Sequence, residues 1–199
     1  TAGPGLAESW TISDDGLEYT FKLRPGVKFQ TTEYFTPTRD LTADDVIFSF
    51  ERQIKADHPW HQYVAGAAWE YAAGQGLPEN IKAIEKVDDL TVKFSLNKPD
   101  APFLANIAMD LGSIISKEYA DKLQADGKME QLNQMPLGTG PFKFVAYQQD
   151  AVIRYKAHEG YWGGKEKIDD LVFAITTDAT ARVQKLKAGE CHVMPYPNA

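Results

Sequence analysis

Asp14-Asp15-Gly16-Leu17-Glu18-Tyr19-Thr20-Phe21-Lys22-Leu23-Arg24-Pro25-Gly26 has the pattern of a strand held between two turns. Tyr19, Phe21 and Leu23 alternate with Thr20, Lys22 and Arg24, so an extended chain turns one apolar and one polar face. Asp14-Asp15-Gly16 before it and Arg24-Pro25-Gly26 after it are turn chemistry: Asp bonds its own backbone, Pro presets φ, and Gly accepts positive φ. A half-buried strand between two tight turns needs antiparallel neighbours. They are predicted around Trp10-Thr11-Ile12 and Val27-Lys28-Phe29.

Further along, Thr42 followed by Asp45 resembles a capping box with a carboxylate in place of the usual Glu or Gln. Val46, Ile47, Phe50 and Ile54 then recur at helical spacing, which predicts a helix from about Ala43 to Lys55. Pro59 to Gly76 is irregular and aromatic, carrying Trp60, Tyr63, Trp69 and Tyr71 among Gly and Ala; long irregular loops in compact domains are often functional. Strand character returns from Ile84 to Leu96 around an Asp88-Asp89 turn. Pro99 to Met109 and Lys117 to Asp126 read as helices, the second with Ser116 at its cap and Gly127 past its end. Gly138-Thr139-Gly140-Pro141 is a turn into strands at Phe142 to Tyr147 and Val152 to Ala157. Leu171, Phe173 and Ile175 make a last strand, Asp178 caps a last helix, and Gly189 stops it. Val193 to Pro197 is extended. Strands, helices, then strands give an α+β fold whose mixed sheet is mainly antiparallel.

Composition narrows the function. Hydrophobic residues make up 43% and aromatics 12% of the 199 residues, enough for a sizeable core. A net charge of −7 with no Lys/Arg stripe disfavours nucleic acid. No run approaches the roughly 18 apolar residues of a membrane-spanning helix. Cys191, alone, excludes an internal disulfide and any multi-cysteine metal site but not a bridge to a partner outside the sequence. His58 and His61 flank Pro59-Trp60 without a third ligand, so metal is disfavoured. The pairs Asp14-Asp15, Asp44-Asp45, Asp88-Asp89 and Asp169-Asp170 fall at turns and helix starts, where Asp satisfies backbone donors rather than performing acid–base work. Gly138-Thr139-Gly140 lacks the Lys of a phosphate-cradling loop, and Pro141 removes an amide. No Gly-x-Ser-x-Gly elbow is present. No cofactor and no catalytic residue is assigned.

Four blocks carry a resemblance: Pro4-Gly5-Leu6-Ala7-Glu8-Ser9-Trp10 through Arg24; Leu41-Thr42-Ala43-Asp44-Asp45-Val46 with Phe48-Ser49-Phe50; Pro136 to Phe142; and Tyr161-Trp162-Gly163. In order and spacing the chain resembles the bacterial extracellular solute-binding proteins of family 5, the periplasmic dipeptide and oligopeptide receptors of ABC importers. Gly76-Leu77-Pro78-Glu79, Ser116 to Asp121 and Cys191 to Pro197 resemble the dipeptide-binding branch.

That resemblance implies a non-enzymatic receptor: short peptides as ligand, membrane permease subunits as partners, and a periplasmic location, the signal peptide not being in this chain. It further implies a fragment, the middle subdomain of a type II (cluster C) periplasmic binding protein with short pieces of the first subdomain. Residues 1–30 would lead into it, 31–170 form it, and 171–199 return toward the first subdomain, with the second lobe absent. It places Trp69 against the ligand, with ordinary core packing as the alternative; Tyr71, Trp60 and Tyr63 are weaker candidates for the same wall. It implies that Cys191 bridges to a cysteine outside this chain, the alternative being a small buried hydrophobe. Haem, a cationic peptide or another solute on the same scaffold is the competing ligand, though nothing singles out an axial residue for haem, and an uncharacterised hydrolase is the alternative of another class. Missing neighbours would leave apolar surface near Pro4 to Ala7 and Met194 to Pro197, and hence a tendency to self-associate.

Overall fold

The computed structural model of the chain describes residues 3–63 and 69–195. The alternating strand is there as β2 (Glu18–Leu23), antiparallel to β1 (Ala7–Ile12), with Trp10 opposite Phe21. Gly16 and Gly26, in the flanking turns, both hold φ of +70, where a side chain would be strained. The second neighbour differs from the expectation. Val27-Lys28-Phe29 forms no strand; after Gly26 the chain leaves the sheet, with Val27 and Phe29 buried, and the Gln30 amide donates to the Gly138 carbonyl. The free edge of β2 is taken instead by a strand from some 70 residues later, which offers five paired positions where a three-residue run offers fewer.

The long helix α1 (Ala43–Ile54) comes next, then the short α2 (Glu70–Gly74) and α3 (Leu77–Asn80). The hairpin of β3 (Ile81–Asp88) and β4 (Thr91–Leu96) completes a four-stranded sheet in the order β1-β2-β4-β3. Tyr19, Phe21 and Leu23 of β2 and Val92, Phe94 and Leu96 of β4 form its buried face, and α1 packs across β3 and β4. Phe94 is the hub: Phe21, Phe50 and Phe103 meet its ring at 5.6, 5.1 and 5.9 Å. Burying each such ring stabilises the fold by about 1.5–3 kcal/mol before edge-to-face geometry is counted.

The helix expected over Pro99 to Met109 is reduced to α4 (Phe103–Ile107). Pro102 stands at its cap, and residues before proline avoid helical backbone, so the start is delayed. Beyond it a 3₁₀ turn, Asp110–Gly112, folds back so closely that a Cβ on Gly112 would lie 2.0 Å from the Ile107 carbonyl oxygen. Then follow α5 (Lys117–Ala125), whose Ser116 cap accepts the Tyr119 amide, and α6 (Gln131–Gln134).

A second sheet contains β5 (Phe142–Gln148), β6 (Val152–Ala157) and β7 (Asp170–Ala174), ahead of α7 (Ala179–Lys187) capped by Asp178. Every ladder is antiparallel. Tyr196 and Pro197, the end of the expected extended segment, lie outside the described residues.

One ion pair ties the first layer together. Asp45, 0% exposed, lies at the third position of α1 and accepts both guanidinium nitrogens of Arg39 at 2.6 and 2.9 Å. Its carboxylate also takes the Thr42 amide at 2.9 Å, as the capping box requires, and the Lys117 amide at 2.8 Å. A single side chain thus joins the loop before α1 to the start of α5.

Candidate functional site

Two open troughs mark the surface. The first, about 460 Å³, has a floor of Phe21, Leu23, Phe50 and Phe94 and a rim of Gly5, Leu6 and Ala7 on one side and Met109 to Ser113 on the other. It is largely apolar, with Asp110 and Ser113 as side-chain polar groups at the rim. Its far wall is fixed to α1 by two side chains: Ser49 Oγ accepts the Ile115 amide at 2.9 Å, and Gln53 Nε2 donates to the Leu111 carbonyl at 2.8 Å. The apolar surface expected near Pro4 to Ala7 therefore lines a concavity whose far wall is tied to α1.

The second trough, about 440 Å³, lies where Leu6 and Ile114 face Phe142, Phe144, Tyr155 and Trp162. Gln30 closes its floor, donating from Nε2 to the carbonyls of Gly140 (3.0 Å) and Phe142 (2.8 Å). His158, 6% exposed, meets the Gly140 carbonyl through Nδ1 at 3.1 Å, and burial pushes its pKa below the usual imidazole value. Across this junction the Arg24 guanidinium lies 4.4 Å over the Trp162 ring.

The second sheet continues the apolar surface. Its register sets Phe144 opposite Tyr155, Tyr147 opposite Ile153, Tyr155 opposite Leu171 and Ile153 opposite Phe173, all on one face. Lys143, Arg154, Lys156 and Asp170 occupy the other, beside Ala146, Val152, Val172 and Ala174. An antiparallel sheet with so aromatic a face ordinarily has that face covered. Yet Phe173 is 49% exposed, and none of these strands contributes to the main core.

The four aromatic residues predicted to face a ligand line neither trough. Val46 and Phe50 of α1 line the first, whereas Phe48 and Arg52 stand about 200° around the helix from them, on the opposite flank. On that flank Trp60 packs edge-on to Phe48 at 6.1 Å and is only 2% exposed, so its indole is core. Tyr63 and Tyr71 are 42% and 73% exposed. Trp69, partly buried, caps α2 and donates from Nε1 to the His61 carbonyl at 3.1 Å. Residues 64–68, the middle of the irregular aromatic segment, lie outside the described residues.

The residue that the sequence did not single out is Arg52. Its guanidinium sits 4.8 Å over the Trp69 ring, burial pulls its pKa down to about 10, and no carboxylate pairs with it among the described residues. The signal was available: Arg52 follows Phe48 by four residues, placing a cation on an apolar helix stripe.

The remaining candidates resolve into structural roles. His58 Nδ1 accepts the Trp60 amide, His61 Nδ1 meets the Arg52 carbonyl, and no cluster of three metal-ligating side chains occurs among the described residues. Asp44 and Asp89 both pair with Lys86 at 2.8 Å, while Asp15 accepts from Ser13 and from the Leu17 amide. Cys191 is a partly buried free thiol.

The family model for bacterial extracellular solute-binding proteins, family 5 Middle, matches residues 1–199. The dipeptide-binding protein of Escherichia coli strain K12 is 57% identical over 195 residues, 98% of this chain and 36% of the relative. Heme-binding protein A of Haemophilus influenzae is 54% identical over the same shares. A crystal structure of the dipeptide-binding protein from Pseudoalteromonas sp. SM9913 with Met-Leu superposes with a TM-score of 0.91 at 41% identity, covering 94% of this chain and 37% of that one. The chain therefore spans little more than a third of the length of the proteins it matches.

Proposed function

The chain belongs to the bacterial extracellular solute-binding proteins of family 5, a family of receptors rather than enzymes, and on that premise we propose that the full-length protein captures short peptides in the periplasm for an ABC importer. The observation that carries this reading is the alignment, over nearly the whole chain, to a receptor named for dipeptides. Binding energy closes two lobes on the ligand, and the closed form docks on the membrane permease subunits. No covalent step is involved.

This chain supplies one part of that device, the middle subdomain with flanking pieces of the first. The two troughs and the apolar face of the second sheet are surfaces that the rest of the polypeptide covers. Trp69, Tyr71 and Tyr63 are the aromatic groups offered toward the ligand; a flat indole or phenol tolerates varied side chains while contributing area and one donor. Trp60, being core, takes no part in contact. Charged groups that clamp the peptide termini lie outside this chain. Cys191 is bridged to a cysteine outside it, which suits an oxidising compartment.

A second reading, haem as the ligand, is favoured by the similarity to Heme-binding protein A. Calorimetry of the full-length protein with Met-Leu, a tripeptide and haem separates the two. Micromolar or tighter peptide binding, with the peptide recovered unchanged by mass spectrometry, is the expected result; tight haem binding with silence toward peptides overturns it.

A further inference from the structure

On the reading that Trp69 faces the ligand, we propose that Arg52 is a positioning residue for peptide capture: it never touches the peptide but fixes the plane of the Trp69 ring through a closed three-residue clasp. The clasp is made of three contacts that form a circuit. The Arg52 guanidinium lies 4.8 Å over the Trp69 ring, Trp69 Nε1 donates to the His61 carbonyl at 3.1 Å, and His61 Nδ1 lies 3.0 Å from the Arg52 carbonyl. Because a carbonyl only accepts, His61 must carry its proton on Nδ1. Both Trp69 and His61 are thereby tied to the last turn of α1.

That turn is a rigid support. α1 is packed on the sheet through Phe50 and Phe94 and fastened to residues 111–115 through Gln53 and Ser49. α2, on which Trp69 itself sits, has only five residues and supplies no comparable rigidity. No acidic side chain pairs with the Arg52 guanidinium among the described residues, and residues 64–68 read Val-Ala-Gly-Ala-Ala, with none to offer. A partly desolvated cation without a counter-ion gains most from an aromatic face, so cation and ring hold each other in place.

The test uses the full-length protein and the dipeptide Met-Leu, titrated calorimetrically into the wild type, Arg52→Met, Arg52→Lys, Trp69→Ala and the Arg52→Met/Trp69→Ala double variant. Expected are a loss of about tenfold in affinity for Arg52→Met, recovery of part of it by Arg52→Lys, and no further loss when Arg52→Met is added to Trp69→Ala. Arg52→Gln takes the place of Arg52→Met if that variant fails to fold, with the same outcomes expected. A lowered melting temperature with unchanged affinity for the Arg52 variants overturns the inference, as does a full, additive loss in the Trp69→Ala background. Unchanged affinity in Trp69→Ala alone removes the ligand-facing reading of Trp69 and this inference with it, so the two failures are told apart.

Discussion

Replacing Asp45 by Ala removes a carboxylate that serves five donors at once. Arg39 is 34% exposed on its side chain and can return its guanidinium to water, but the amides of Thr42 and Lys117 have no substitute acceptor. Two orphaned, part-buried amides cost about 1–3 kcal/mol each, and the lost charge-assisted bonds to Arg39 add about 1.5–3 kcal/mol. These overlap, so the expected loss is about 3–5 kcal/mol, or a fall in melting temperature of roughly 6–20 °C for a chain of this size. Arg39→Ala leaves the fully buried carboxylate without its counter-ion, held only by the two amides, and is expected to cost about 3–5 kcal/mol as well. The double variant is expected to cost clearly less than the sum of the two, since they share one interaction. Urea melts followed by far-ultraviolet circular dichroism measure all three. A loss below about 1 kcal/mol for Asp45→Ala, or strict additivity, would refute the reasoning that this carboxylate joins α1, α5 and the preceding loop.

Other consequences are as direct. His158 is buried with a lowered pKa, so the unfolded state takes up its proton first; its contribution is fully present above about pH 6.5 and is lost as pH falls through and below that value. Melting temperatures measured from pH 7.5 down to 5.0 should fall, and His158→Gln should flatten that slope; an unchanged slope contradicts the assignment. Trp60→Ala should lower stability by about 3–5 kcal/mol, as for a large core aromatic, while Tyr71→Ala, on an exposed ring, should stay within about 0.5 kcal/mol; urea melts that reverse this order contradict the placement of the two rings. Cys191 should react with maleimide in this chain and resist it in the full-length oxidised protein until a reductant is added; equal labelling of both counts against the external bridge.

Local patterns were legible in the sequence where a residue's neighbours decide its structure. Alternation gave β2 and β4, Asp45 and Ser116 gave the starts of α1 and α5, and Gly138 to Pro141 gave the entry into β5. What was lost depends on distant partners. Val27 to Phe29 has strand composition, but β4 competes for the same edge, and nothing in residues 24–30 records that competition. The Asp45 carboxylate was read as a cap; its bonds to Arg39 and to the Lys117 amide, 72 residues away, need the tertiary fold. The aromatic segment shows the same limit. Composition marked Trp60, Tyr63, Trp69 and Tyr71 alike, whereas the fold buries the first beneath Phe48 and exposes the last. Arg52 does not stand out in the same way, because a lone cation in a helix is ordinarily solvated.

The most direct measurement is a pair of calorimetric titrations with Met-Leu, one into the 199-residue chain and one into the full-length protein. Saturable heat with one site in the full-length protein and none in the chain alone is the expected result. Stoichiometric binding by the isolated chain, or silence from the full-length protein, would contradict the claim that capture takes two jaws of which this is part of one.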